Sequence, residues 1–250
     1  MNKKRKWFIW IPCVCLLIAG LSYIVYDLVQ KDQNEDIYKK LQKYNKVETP
    51  ELTTPEKPEI PIDFAKLKKT NPDIYAWIRI EDTNIDYPIV QSPTDDNYYL
   101  EHTVEGKKGY PGSIYTESVN SKDFMDFNTL IYGHDMKNGT MFKHLHKFEN
   151  ADFFKKHDTV TIYTEEDMIT YRIYAAVVFD DRHIVHSFDQ STVEGRQAFI
   201  RALKSSTNWK NHFRKDMEID ENSRLITMST CIGGQPNNRY IVVAEEVIES

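Results

Sequence analysis

Leu225-Ile226-Thr227-Met228-Ser229-Thr230-Cys231 is an apolar, β-branched run that ends on a thiol, and the turn material Gly233-Gly234-Gln235-Pro236-Asn237-Asn238 leads from it to Arg239. The run reads as a strand, and Tyr240 to Val247 reads as the strand that follows the turn. Cys231 is the only cysteine beyond the first fifteen residues. A lone cysteine inside a strand is ordinarily a small buried hydrophobe. At the end of a strand it is held rigidly at a sheet edge, within reach of a substrate. Its thiolate is a good nucleophile once a base or cation lowers the pKa from about 8.5. If the two strands are neighbours, the Arg239 guanidinium lies beside the thiol. There it would favour the thiolate and could bind the oxyanion formed when the thiol attacks a carbonyl.

Working outward, the domain around this run is rich in strands. Ala76 to Ile80 and Ile85 to Gln91 flank the turn cluster Glu81-Asp82-Thr83-Asn84 and read as a hairpin. Further strands are predicted at Gly112 to Thr116, Thr129 to Tyr132, Thr159 to Tyr163 and Met168 to Phe179. Short helices are predicted at Asp63 to Lys69, Met141 to Phe148 and Ala151 to Lys156, with a longer one from Val193 to Lys204. About eight strands with scattered helices predict a mostly antiparallel barrel or sandwich.

His134 leaves the strand Leu130-Ile131-Tyr132 after Gly133, a glycine that lets the backbone bend, and enters the turn Asp135 to Gly139. It is therefore placed at a sheet edge much as Cys231 is. His144, His146, His157 and His212 sit in polar or helical contexts, where a solvated histidine is the default. His102, His183 and His186 lie in loops that the sequence leaves undecided. Ser229 shares the sheet face of Cys231, because strand side chains alternate with period two. No metal site is expected, since CxxC, HExxH and acidic calcium-loop spacings are all absent. His144 and His146 would lie about 200° apart on a helix.

The chain of 250 residues is 40% hydrophobic with net charge −6, which argues against a nucleic-acid partner. Its first segment differs from the rest. Lys3-Lys4-Arg5-Lys6 precedes Trp7 to Tyr26, a run without a charged residue. As a helix that run spans about 30 Å, the thickness of a bilayer's hydrocarbon core. Cations before the run and none directly after it place the N-terminus in the cytoplasm and the rest outside the cell. An uncleaved anchor fits better than a signal peptide, because no small-x-small cleavage site follows. Residues 1–30 thus form a basic tip and membrane helix. Residues 31–62 form a stalk, helical to Lys46 with Ile37, Leu41 and Tyr44 on one stripe, then proline-rich and extended. Residues 63–250 form the main domain.

The basic anchor, Tyr132-Gly133-His134 and Thr227-Met228-Ser229-Thr230-Cys231 with the following Arg239 together resemble the sortases, cysteine transpeptidases of Gram-positive cell surfaces. The family's cysteine motif reads TLxTC, and Met228 stands where leucine is usual. Asn71-Pro72-Asp73, Trp77, Asp86 to Gln91, Tyr99-Leu100, Ile131 to Phe142 and the helix from Val193 resemble class B in particular. Two departures concern the loop after the cysteine: Ile232-Gly233-Gly234 stands where some class B members carry an acidic residue, and the loop is short.

The resemblance implies a sortase-like closed β-barrel of about eight strands with peripheral helices, plus the N-terminal transmembrane helix, and no cofactor. It implies that Cys231 attacks the carbonyl after the threonine of a sorting motif of NPxTx or (S/P)PxTG type, that Arg239 stabilises the oxyanion, and that His134 is the acid and base. The partners it implies are surface proteins bearing the sorting signal, a peptidoglycan amine as acceptor, and the membrane through the N-terminal helix. It also places Leu100 and the segment His183 to Phe188 in the substrate groove. Two other readings remain at this stage: an extracellular cysteine peptidase that only hydrolyses, and a membrane-tethered β-barrel that binds ligands without chemistry. The L,D-type transpeptidases are disfavoured, because their motif has histidine two residues before the cysteine, where this chain has Ser229.

Overall fold

Both faces of the strand that ends at Cys231 are buried, which explains why it carries apolar residues on both, Leu225 on one and Ile226 and Met228 on the other. In the computed structural model, which describes residues 3–43 and 60–248, that strand is β8 of nine. They are β1 (Ile74–Arg79), β2 (Asp86–Val90), β3 (Ile114–Tyr115), β4 (Asn128–Tyr132), β5 (Thr159–Tyr163), β6 (Met168–Asp180), β7 (His212–Phe213), β8 (Leu225–Cys231) and β9 (Asn238–Glu246). Ile226 and Met228 face one hydrophobic core with Tyr240, Val242 and Ala244 of β9. Leu225 faces a second core with Ile241 and Val243. The first core fills the barrel. The second lies outside it, under a helix.

The sheet runs β5-β1-β2-β3-β4-β8-β9-β6, and five residue pairs between β5 and β6 close it into an eight-stranded barrel. Strand β6 is long enough to pair with β9 along one edge and with β5 and then β7 along the other. The expected closed barrel is present, but its strands are not all antiparallel. β2 pairs with β3, and β4 with β8, in parallel. A parallel neighbour needs a long crossover, and the chain between β4 and β8 supplies it.

Among the described residues there are six α-helices, α1 (Lys3–Gln42), α2 (Phe64–Thr70), α3 (Tyr98–Glu101), α4 (Ala151–Lys156), α5 (Ile184–Ser187) and α6 (Val193–Ser205), together with a 3-10 helix over Phe142–Glu149. α2 starts where expected, with the Asp63 carboxylate accepting the Lys66 N–H at 2.9 Å. In α6 the Thr192 hydroxyl caps the Gly195 N–H, and Phe199, Ile200 and Leu203 pack into the second core. α3, α5 and β7 are too short to carry a periodic signal, and the sequence reading missed them.

α1 is one continuous helix through the apolar segment and beyond it. Among the described residues it alone is long and apolar enough to cross a membrane, and Leu16, Leu17, Ile18, Leu21 and Ile24 are exposed on it. Its last turns lie against the barrel and not free of it. Ile37, Tyr38 and Leu41 are buried in the first core. Asn34 Nδ2 donates to the Tyr110 carbonyl at 2.7 Å, Gln42 Nε2 to that of Asp86 at 2.8 Å, and the Tyr38 hydroxyl to that of Gly112. The stripe read at Ile37 and Leu41 is therefore a docking face; Tyr44 and the prolines at 50, 55 and 58 lie outside the described residues.

Trp77 is the bulkiest fully buried side chain, on β1 between β2 and β5, and its indole N–H reaches Asp86 Oδ1 at 2.7 Å. Trp77→Ala should lower unfolding stability by about 3–5 kcal/mol, the usual cost of truncating a buried aromatic. Urea denaturation followed by circular dichroism measures this.

Candidate active site

The parallel pairing of β4 with β8 brings two chain exits together. Tyr132 stands opposite Ser229, and the Gly133 N–H continues the ladder to the Ser229 carbonyl at 3.2 Å. His134 thus lies two residues past Tyr132, and Cys231 two past Ser229, at the same end of the barrel. Strand β9 runs antiparallel to β8 with Arg239 opposite Cys231. All three side chains line one cleft of about 420 Å³, and Leu100, Ser229, Tyr115, Tyr132, Glu117 and His183 also line it. The five residues singled out from the sequence therefore share one cavity.

Cys231 is exposed and in no disulfide. The His134 ring is oriented by Leu100, whose carbonyl lies 2.8 Å from Nε2. A carbonyl only accepts, so in the neutral ring Nε2 carries the hydrogen and Nδ1 is the free base. The His134 backbone is held as well, its carbonyl accepting the Phe142 N–H at 3.0 Å. On Arg239, Nη1 donates to the Pro236 and Asn238 carbonyls, both at 2.9 Å. This fixes one corner of the guanidinium on the turn. Ser229 is buried on the thiol strand itself, whereas Leu100 is exposed at the cleft rim. Tyr115 and Tyr132 stack with ring centres 5.3 Å apart. Burial pushes both phenols well above the usual range, so both remain neutral.

Two glycines position this site for steric reasons. Gly133 was expected to supply a bend, yet it has no positive φ. A Cβ there would meet Ile114 Cδ1 at 2.5 Å and the Phe142 ring at 2.7 Å, so close packing against the core is what requires glycine. Gly112 does have a positive φ of 65°, and a Cβ on it would lie 2.6 Å from the Leu100 carbonyl oxygen and 3.2 Å from His134 Cδ2.

The histidines taken as solvated are engaged, because the 3-10 helix and α4 lie against the barrel. His146 Nε2 faces the Cys231 carbonyl at 3.0 Å, its Nδ1 faces Glu149 Oε1 at 2.7 Å, and its ring stacks on Tyr240. Both ring nitrogens thus meet acceptor oxygens. Burial raises the Glu149 carboxyl, but Lys210 at 2.6 Å and His146 outweigh it and hold the group below the usual range. His144 Nδ1 accepts the Asn84 N–H at 2.8 Å; burial first, then Lys147 and Lys143, push it down. His157 stacks on Phe153, and His212 donates to the Glu149 carbonyl. No periodicity in the sequence carries these contacts. Against the expectation of no metal site, Glu117, His183 and His186 form a cluster that could hold an ion.

Gly112→Ala should cost about 1–2 kcal/mol from its left-handed backbone alone, and more from the clash with the Leu100 carbonyl. The expected outcome is a lowered melting temperature together with a changed His134 ring resonance in NMR.

A family model described as the sortase domain matches residues 78–247. Among curated relatives, the chain is 33% identical over 177 residues to Sortase B of Listeria monocytogenes, covering 69% of this chain and 68% of that one. It is 26% identical over 249 residues to Sortase B of Staphylococcus aureus, covering 97% and 98%. Among solved structures it is similar to Clostridium perfringens sortase B, with TM-score 0.66, 32% identity and coverage of 74% of this chain and 100% of that one. It is also similar to sortase B from B. anthracis in complex with AAEK1, with TM-score 0.72, 25% identity and coverage of 89% and 100%. Barrel, cleft and relatives agree that this chain belongs to the sortase family and is a cysteine transpeptidase of the class B type.

Proposed function

We propose that Cys231, His134 and Arg239 cleave a sorting signal on a surface protein and transfer that protein to an amine of peptidoglycan. The observation that carries this reading is their convergence: thiol, imidazole and guanidinium line one cleft at one end of the barrel. The Leu100 carbonyl keeps the hydrogen on His134 Nε2, so Nδ1 accepts the proton of the Cys231 thiol. Sγ then attacks the threonine carbonyl carbon of an NPxTx or (S/P)PxTG motif, at the bond that follows the threonine, forming a C–S bond and an oxyanion. The Arg239 nitrogens not held by the turn carbonyls, together with a backbone N–H, stabilise that charge. Collapse breaks the C–N bond, His134 returns its proton to the leaving amine, and a thioester remains. An incoming amine gives a proton to His134 and attacks the thioester; the new amide forms as the sulfur leaves. Water in place of the amine gives hydrolysis, so a peptidase differs only in the acceptor.

Leu100 and Ser229 serve as cleft walls for the bound signal. The basic residues Lys3 to Lys6 stay in the cytoplasm, residues 1–30 anchor the chain by a single pass, and residues 63–250 act outside the cell. The exposed apolar length of α1 supports this topology. Because the end of α1 is docked on the barrel, the domain is held close to the membrane surface.

The test uses the full-length chain in detergent with quenched fluorescent peptides carrying LPxTG, NPxTx, SPxTG and PPxTG motifs, with and without an added amine. One motif should be cut, with the amine diverting product to a ligated peptide, and Cys231→Ala should abolish both. Persistent turnover in that variant would remove Cys231 from the mechanism. Hydrolysis unaffected by any amine would favour the peptidase reading. In the same assay Arg239→Ala should lower kcat by about 10²–10³-fold, the usual cost of losing an oxyanion donor.

A further inference from the structure

Glu117 and His183 face each other across the cleft wall, from segments 66 residues apart. Glu117 follows β3, while His183 and His186 flank and belong to α5 in the long crossover between β6 and β8. His183 Nε2 lies 2.7 Å from Glu117 Oε1, and the two imidazole rings stack with centres 4.3 Å apart. Glu117 is buried, its side chain 8% exposed, whereas the His183 side chain is 41% exposed. One ligand atom from each of the three residues lies within 4.8 Å of the others.

A buried carboxylate beside two imidazoles, one capping a short helix and one three residues on within it, is a donor set of two nitrogens and one oxygen. We propose that Glu117, His183 and His186 bind a divalent ion of the zinc class, in the wall of the cleft that holds Cys231. Imidazole nitrogens select zinc and its neighbours over calcium and magnesium, which take oxygen ligands. A tetrahedral ion about 2.1 Å from each donor sets the donors roughly 3.4 Å apart. The set is therefore within side-chain rotation of ligating geometry: the His183–Glu117 contact opens and the other donors draw in. On binding, the hydrogen that the neutral His183 ring donates from Nε2 to Glu117 moves to Nδ1 of the same ring, and the ion takes its place on Nε2. Three protein ligands leave a fourth position for water or an anionic group. The ion would also tie α5 to the β3–β4 connection, which the His183–Glu117 contact already joins.

Glu117 and His183 line the cleft, but His186 is exposed and outside its lining, so the site is testable apart from turnover. The full-length chain in detergent would be stripped of metal and titrated with Zn²⁺ against a chromophoric chelator, with Cys231→Ala run beside it to remove thiolate capture. One tightly bound Zn²⁺ per chain is expected in both proteins, with no competition from Ca²⁺. Hydrogen exchange should then show Zn²⁺-dependent protection of the Ser187 amide in α5 and of the Phe188 amide that caps it. His186→Ala should weaken binding by more than about 100-fold, since even outer-shell partners are worth about 10–100-fold. Glu117→Gln should weaken it too. Zn²⁺ affinity unchanged in His186→Ala, or lost in Cys231→Ala, would overturn the site, and so would Ca²⁺ displacing Zn²⁺.

Discussion

The parallel pairing of β4 with β8 is the constraint on which the rest depends. Parallel strands leave a sheet at the same end, so the residues that follow Tyr132 and Ser229 emerge side by side. Antiparallel neighbours would have put His134 and Cys231 at opposite ends of the barrel. The antiparallel return of β9 then sets Arg239 opposite Cys231. One parallel and one antiparallel contact on either side of a single strand gather three chemistries from positions 134, 231 and 239 into one cleft.

Such a pairing holds only if β8 is fixed in register. A one-residue slip exchanges every side chain between the two faces, and here both faces are buried in separate cores. Asn128 reinforces the register in a polar way, its Oδ1 accepting from the buried Thr227 hydroxyl at 2.8 Å. Closure through β5 and β6 removes the sheet edges that would otherwise be free to pair elsewhere. The barrel is thus a rigid frame, and the groups at its rim are oriented by backbone carbonyls: Leu100 for His134, and Pro236 and Asn238 for Arg239.

Around that rim the electrostatics are arranged by burial. The Tyr115 and Tyr132 phenols are held neutral. Glu117, pushed up by burial and pulled down by His183, keeps a net upward shift. Behind the cysteine strand, His146 bridges the Cys231 carbonyl to Glu149, which also holds Lys210. The N-terminal helix α1 joins the same framework, because Tyr38 reaches the Gly112 carbonyl and Gly112 packs on Leu100 and His134.

The sequence alone carried every strand but β7, the barrel class, an apolar helix of membrane length and the three residues that converge in the cleft. Each is written locally: a β-branched run bounded by turn residues, a charge-free stretch of membrane length, and a thiol, imidazole or guanidinium at a predicted strand end. The class of chemistry followed from those residue types together with the motif resemblance. What the sequence could not show was which strands are neighbours. Pairing in the barrel is decided by long-range packing, and two parallel contacts interrupt the expected antiparallel order. The same reason hid the roles of the Leu100 carbonyl, the steric need for Gly133 and the contact of His146 with Cys231, each of which joins segments distant in the chain. The end of α1 was legible as an amphipathic stripe, but only the folded barrel supplied the surface against which Ile37 and Leu41 are buried. Local chemistry was determined by the sequence, and the meeting of distant segments by the tertiary structure, because contacts between them leave no periodic trace along the chain.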